Sequence, residues 1–153
     1  MISFRPIDIE RDYHTYEKWC RGHGAIPFPK VVLPRGWVAY AGPVDIAMSF
    51  LYMDPGKIGV IEMTTTNPAV AFSRDLVAAV KGLYDYLEAR AKEAGCIVVI
   101  SFVKPKSSEE RIMSKMGYAT SDDDTGHRLY AKPLHNQDAW KVPEGGEIKC
   151  PSH

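Results

Sequence analysis

The chain has 153 residues, with 19 acidic and 19 basic side chains that cancel to zero net charge. Its composition, 45% hydrophobic and 25% charged, excludes disordered, collagen-like and low-complexity proteins, and its length fits a single domain. Without a net positive charge there is no electrostatic basis for nucleic acid or an anionic membrane as a partner.

The cysteines and the N-terminus indicate the compartment. Cys20, Cys96 and Cys150 are odd in number, far apart and without a CxxC pair. This favours a reducing environment over a disulfide framework or a zinc site. The first residues lack a signal-peptide pattern, and no apolar run approaches the ~20 residues that span a bilayer. We therefore expect a cytoplasmic protein with no membrane partner and no metal.

The first half of the chain is predicted to be a strand, a helix and a three-stranded meander. Residues 2–7 alternate weakly as in a short strand, and residues 9–22 place aromatic and apolar side chains at helical spacing. Residues 36–66 are rich in β-branched and aromatic residues. Turn residues divide this segment at Gly42-Pro43 and at Asp54-Pro55-Gly56, which predicts three antiparallel strands.

The second half begins with the strongest helical pattern, over residues 73–94. The continuous apolar run at residues 96–103 predicts a strand buried on both faces. Together with the preceding strand, these elements predict a right-handed βαβ crossover over residues 57–103.

The chain is then predicted to form a short helix at residues 107–116 and a closing hairpin that turns at residues 124–126. The remaining residues are polar and contain prolines and glycines. We therefore predict one domain over residues 1–134 and a polar C-terminal tail over residues 135–153.

This order of elements, β-α-β-β-β-α-β-α-β-β, resembles the GNAT superfamily of acyl-CoA-dependent N-acyltransferases. Residues 57–74 carry a strand with a glutamate, a threonine run and an Asn-Pro step before the long helix, as in small GNAT-like proteins of phages and bacteria. Residues 114–118 resemble the K-x-G-F element of the superfamily. The resemblance implies an α/β (α+β, mixed-sheet) fold.

The resemblance also implies acetyl-CoA as a co-substrate, held in a cleft between the fourth and fifth strands. In the superfamily the pyrophosphate lies at the N-terminus of the long helix, where backbone N–H groups and the helix dipole favour anions. The usual loop there is R/Q-x-x-G-x-G/A. Arg74 takes its first position and Ala79 its last, but Val77 replaces a glycine, and Asp75 would repel phosphate. The implied cofactor-binding residues are Met63, Thr64, Thr65, Arg74, Val77, Ala78 and Ala79.

Glu62 is the candidate general base. A carboxylate near the centre of a sheet is partly desolvated, and its raised pKa suits removal of a proton from an amine. GNAT enzymes often have a glutamate in this strand. Many also have a proton-donating tyrosine in the short helix, at the position of Met113 here. A thioether cannot donate a proton. Either another acid therefore protonates the leaving thiolate, or water or amide donors take this role, or the chain does not catalyse.

Three functions follow from the resemblance. The first is transfer of an acetyl group to an amine acceptor, either a small molecule or a peptide. The second is a non-catalytic GNAT-fold binding or accessory protein of the phage type, which the altered loop and Met113 favour. The third, nucleobase modification, is disfavoured by the neutral charge. Members of the superfamily often dimerise through terminal strands or tails, so a homodimer is also implied.

Overall fold

The computed structural model of the protein describes residues 1–71, 73–120 and 128–135, without the side chains of Arg128 and Leu129. Its strands are β1 (Ser3–Pro6), β2 (Arg35–Ala41), β3 (Val44–Met53), β4 (Ile58–Thr66), β5 (Val98–Val103), β6 (Ala119–Thr120) and β7 (Arg128–Pro133). Its helices are α1 (Ile9–Gly22), α2 (Arg74–Glu93) and α3 (Ser108–Lys115), with a 3-10 turn at Lys30–Val32. The element order predicted from the sequence is confirmed.

The strands form one mixed sheet of order β1-β2-β3-β4-β5-β7-β6. The first four pair antiparallel as a meander, whereas β4 and β5 pair in parallel and are connected through α2. The βαβ crossover predicted from the sequence is therefore present. It places the N-terminus of α2 after the C-terminal end of β4.

Each helix begins at a side chain that caps its first turn. Asp8 accepts a hydrogen bond from the Glu10 N–H before α1, and Ser73 accepts one from Leu76 before α2. The Ser107 hydroxyl does the same for α3. Such caps satisfy N–H groups that have no partner inside the helix.

Two hydrophobic clusters lie on opposite faces of the sheet. The larger one packs buried residues of α2 and α3, such as Leu83 and Met113, against β2–β5. The smaller one packs Tyr16 and Trp19 of α1 against Phe50 and its neighbours. The sheet is thus a layer between α1 on one side and α2 with α3 on the other.

The prediction that β5 is buried on both faces is wrong. Val99, Ser101 and Val103 are buried, but the intervening residues are half-buried and Phe102 is 51% exposed. The reason is that α1 packs over β2, β3 and Met63 of β4, so no helix among the described residues covers this face of β5.

The end of the predicted domain contacts the residues just before β5. The Leu134 N–H donates to Ile97 O at 2.8 Å, and His135 Nε2 lies 3.1 Å from Cys96 O. Residues 136–153 of the predicted tail, and the predicted turn at 124–126, lie outside the described residues. No helix in the part of the chain that the structure describes is long and apolar enough to cross a membrane.

Candidate active site

The parallel strands β4 and β5 separate before β4 ends. Their register pairs Ile58 with Val98 and Val60 with Ile100, and the ladder between these two described strands stops there. β4 continues to Thr66. The residues of β4 after Val60 therefore have no ladder partner on β5, and at the end of the strand His23 Nε2 lies 2.8 Å from Thr66 O.

A β-bulge at Met63 reshapes β4 at this point. Met48 pairs with Thr65 and Phe50 pairs with Glu62, so β4 has one residue more than β3 between these pairs. Met63 takes the left-handed conformation with φ 56°, which is uncommon for a residue with a side chain. Between the two pairs, the buried Ser49 hydroxyl lies 2.9 Å from Thr64 Oγ1.

The Glu62 carboxyl lies between the two strands where they separate. Its Oε1 accepts hydrogen bonds from the Phe102 N–H at 2.5 Å and from Ser101 Oγ at 3.3 Å. Burial raises its pKa to about 7, although the Phe102 N–H opposes the shift; the charge of Glu109 raises it further. A carboxyl with this pKa exchanges its proton near neutral pH, as a general base must.

A cavity of about 490 Å³ adjoins the cleft. Its wall consists of α1, the loop after α1, the end of β4, the first turns of α2, and α3. The side chains of Glu109, His23 and Thr64 supply polar groups. Its other lining residues are Tyr16, Cys20, Ala25, Ile26, Phe28, Met63, Thr65, Thr66, Asn67, Pro68, Val70, Leu76, Val77, Val80, Ser108 and Ile112. Glu62 does not line this cavity and lies one residue before the lining segment.

A chain of hydrogen bonds connects the cavity wall to the core. Thr64 Oγ1 lies 2.9 Å from the hydroxyl of Tyr84, which is completely buried and donates to Glu109 Oε1. Burial raises the pKa of the Glu109 carboxyl, while the hydrogen bonds from Tyr84 and Thr64 oppose the shift. Burial also raises the pKa of Tyr84 well above its usual value. The phenol therefore acts as a hydrogen-bond donor at neutral pH.

The start of α2 holds the residues predicted to bind the pyrophosphate. Arg74 and Ala78 are exposed and Val77 lines the cavity, whereas Ala79 is completely buried in the core. The Val77 N–H donates to Ser73 O inside the helix. The N–H groups that point out of the first turn are those of Arg74 and Asp75.

Solved structures share this architecture. The ribosomal-protein-S18-alanine N-acetyltransferase of Escherichia coli matches with a TM-score of 0.68 and 11% identity, over 88% of this chain and 94% of that one. A GNAT-family acetyltransferase of Staphylococcus aureus matches with a TM-score of 0.65 and 13% identity, over 88% and 99%. The chain has the GNAT fold.

A further GNAT-fold match is the PaiA N-acetyltransferase of Thermoplasma acidophilum, solved in complex with coenzyme A. Its TM-score is 0.63 at 16% identity, over 87% of this chain and 99% of that one. No family model and no curated protein matches the sequence.

Within the GNAT fold, the structure brings together only some of the residues singled out from the sequence. Met63, Thr64, Thr65 and Val77 line one cavity. Met113, at the tyrosine position, is completely buried in the core and does not line the cavity.

Sequence reasoning missed Glu109 and Tyr84. The available signal was spacing, because Glu109 precedes Met113 by four residues and so lies on the same face of α3, one turn earlier. Tyr84 gave no such signal, since an aromatic residue on the apolar face of a helix is usually core. The described residues include no group of three or more histidine, cysteine or acidic side chains that could hold a metal ion.

Proposed function

We propose that the protein is an acyl-CoA-dependent N-acyltransferase that transfers an acetyl group from acetyl-CoA to an amine. The observation that carries the proposal is the cleft between β4 and β5, with the Glu62 carboxyl at its closed end and a cavity beside it. The free thiols of Cys20 and Cys96 support a reducing compartment, the cytoplasm, as its location.

The backbone of β4 fits the extended pantetheine arm of acyl-CoA better than the start of α2 fits its pyrophosphate. The arm can form hydrogen bonds with the backbone of β4 beyond Val60, which has no ladder partner on β5. At the other end, Arg74 supplies an exposed cation and two outward N–H groups lie in the first turn of α2. Without a glycine, the phosphates depend on Arg74 more than on a backbone cradle.

Glu62 takes the proton from the acceptor amine in this mechanism. Its carboxyl does not line the cavity, so the proton reaches it through a water molecule. Residues 63–65 line the cavity at the bulge, and their N–H groups would stabilise the oxyanion that forms on the thioester carbonyl; the Met63 N–H also contacts the Glu62 carboxyl.

The cavity wall indicates the class of acceptor. Among the described residues, no lysine or arginine lines it, and Glu109 is its only carboxylate. Ile26, Phe28 and Val70 supply apolar surface. We infer that the acceptor is a primary amine, of a small molecule or a peptide, that has apolar substituents and no carboxylate close to the amine.

The first experiment is a thermal melt with about 1 mM acetyl-CoA, followed by detection of free CoA with a panel of amines. Saturation at about 100 times the dissociation constant adds about 2.7 kcal/mol, which raises the midpoint by several degrees. Arg74→Glu should reduce this shift, whereas Lys18→Glu, an equal charge change on the exposed side of α1, should not. A wild-type protein with no shift and no turnover would contradict the proposal.

The second candidate is a GNAT-fold protein that binds a partner without catalysis. The start of α2 favours it, because Ser73 already accepts from the N–H groups of Leu76 and Val77 and no glycine opens the turn. Acetyl-CoA binding without turnover of any amine would support this alternative.

A further inference from the structure

A carboxyl group on the cavity wall has no role in the mechanism so far. Glu109 lies in the first turn of α3 and lines the cavity together with Ser108 and Ile112. Its carboxyl is enclosed by protein although the residue as a whole is half-buried. Within the described part of the chain, no lysine, arginine or histidine is shown bonding to it; its hydrogen-bond partners there are hydroxyl groups, of Tyr84 and Thr64.

We propose that Glu109 is the general acid of this protein, which gives its proton to the sulfur of the departing CoA. The inference rests on the proposed acetyl transfer and supplies the acid that Met113 cannot. Glu109 lies one helical turn before Met113 on the same face of α3, and unlike Met113 it reaches the cavity. Thr64, beside the cleft, connects it to the segment that borders the thioester.

The ionisations of Glu109 and Glu62 affect each other. Burial raises the pKa of Glu109, whereas the hydrogen bonds from Tyr84 and Thr64 oppose this shift; the titratable groups that face it are Tyr84 from α2 and Glu62 from β4. A negative Glu62 favours a neutral Glu109, since two nearby carboxylates do not readily both ionise. Acid catalysis by Glu109 therefore needs the form in which Glu62 is ionised and Glu109 still carries its proton.

The step balances as a proton transfer. As the tetrahedral adduct collapses, the C–S bond breaks, its electron pair goes to sulfur, and the Glu109 proton moves to that sulfur to give the free thiol. Glu109 is left as a carboxylate, which the Tyr84 hydroxyl stabilises by its hydrogen bond. The proton taken up by Glu62 and the one lost by Glu109 are exchanged with water before the next cycle.

Tyr84 is a positioning residue in this scheme. It is completely buried and does not line the cavity, so it acts through Glu109. Its hydrogen bond lowers the pKa of Glu109 against the effect of burial. Tyr84→Phe should therefore move the descending limb of the pH–rate profile to higher pH, a change that lost packing alone would not produce.

The test compares Glu109→Gln with Glu110→Gln. Both residues are on α3, but the Glu110 carboxyl accepts from Tyr130 and from the Lys106 N–H and does not line the cavity. With the amine that the wild-type protein acetylates fastest, Glu109→Gln should lower kcat by about 100-fold and remove the descending limb of the profile. Glu110→Gln should keep the wild-type rate.

An activated thioester separates acid catalysis from a structural defect. When the substrate is the acetyl thioester of a strongly acidic aromatic thiol, the thiolate leaves without a proton, so the Glu109→Gln variant should process it within about threefold of the wild-type rate. An equal loss with both thioesters would overturn the proposal, as would an unchanged rate with acetyl-CoA. A wild-type protein that acetylates no amine would refute the proposed function and the acid together. Wild-type turnover with an unaffected Glu109→Gln refutes the acid alone.

Discussion

The carboxyl of Glu62 accepts the backbone N–H of Phe102 at 2.5 Å, so a side chain of β4 bonds to β5 where the backbone ladder has stopped. This contact closes one end of the cleft. It also fixes the carboxyl in a partly desolvated place, with a pKa of about 7. Where the strands separate, the Glu62 carboxyl is thus placed so that it exchanges a proton near neutral pH.

Substitution of Glu62 tests its role as a base. Glu62→Gln keeps an oxygen for the Phe102 N–H but cannot accept a proton, so kcat should fall by more than about tenfold while the fold is unchanged. In the wild-type protein, kcat/KM should rise with pH through about 7, because the base must be ionised. Steady-state rates from pH 5 to pH 9 measure both effects.

Glu10→Gln is the control for this variant. Glu10 forms an ion pair with Lys30 on the outside of the protein and does not line the cavity. Its rate and pH profile should match the wild type. If Glu62→Gln retained the full rate and the ascending limb, Glu62 would not be the base.

The raised pKa of Glu62 also predicts how stability depends on pH. The folded pKa of about 7 exceeds the unfolded value of about 4.5, so the folded state binds this proton more tightly. The resulting stability is complete below about pH 4.5 and is lost as pH rises through about 7. At about 1.4 kcal/mol per pKa unit, the loss is on the order of 3 kcal/mol.

Glu62→Gln should remove this loss. The variant should be more stable than the wild type at pH 8, where the buried carboxylate is ionised, and the difference should shrink toward pH 4.5. Urea unfolding of both proteins at several pH values measures it. A variant that is less stable than the wild type at pH 8 would show that the glutamate is held by interactions stronger than the burial penalty.

Most of the fold was predictable because local signals agreed with one another. The turns near Gly42 and Gly56, and the start of the long helical pattern at residue 73, mark the boundaries of elements whose hydrophobic periods are clear. The prediction that β5 is buried on both faces was wrong for a non-local reason. A run of apolar residues cannot reveal that α1 lies over β2 and β3 instead.

The site was predictable only where a residue's own position in an element determines its neighbours. Glu62 follows from its place near the centre of β4, and its partner Phe102 follows once β4 and β5 are parallel neighbours. The contact between Tyr84 and Glu109 spans 25 residues and two helices. It depends on how α2 and α3 pack, which no local pattern encodes.

The acceptor can be tested with a matched pair of amines. Phenylalaninamide and phenylalanine differ at the group beside the amine, and only phenylalanine has a carboxylate there. Because no lysine or arginine among the described residues lines the cavity, kcat/KM should be at least about tenfold higher for the amide. Measurement of CoA release with each compound gives the ratio.

Ile26→Arg should reverse part of this preference. Ile26 lines the cavity and is 91% exposed, so the variant places a cation at the mouth without disturbing the core. The amide-to-acid ratio should fall in the variant, and Val31→Arg, also exposed but outside the lining, should leave it unchanged. A wild-type preference for phenylalanine would contradict the inferred acceptor class.

An ion-pair cluster away from the site tests what holds α1 to the sheet. Asp12 is buried on α1, and its carboxylate accepts from Arg5 of β1 at 2.6 Å and from Arg11 at 2.9 Å. Burial raises the pKa of Asp12, but the hydrogen bonds from Arg11 and Arg5 outweigh it and lower the pKa to about 2. Its stabilising effect is therefore present above about pH 4 and lost as pH falls toward 2.

Asp12→Asn should destabilise the protein at pH 7 by about 2 kcal/mol, because it removes one of the two carboxylates that contact the partly buried Arg5 guanidinium; the other, Asp45 at 2.7 Å, remains. Urea unfolding at pH 7 measures the change, and the difference from wild type should decrease toward pH 2. Glu17→Gln breaks the more exposed i,i+4 pair with Arg21 and should change stability by less than about 0.5 kcal/mol. Equal effects of the two variants would mean that the Arg5–Asp12 contact contributes no more than a surface pair. The cluster would then not be what fastens α1 to β1.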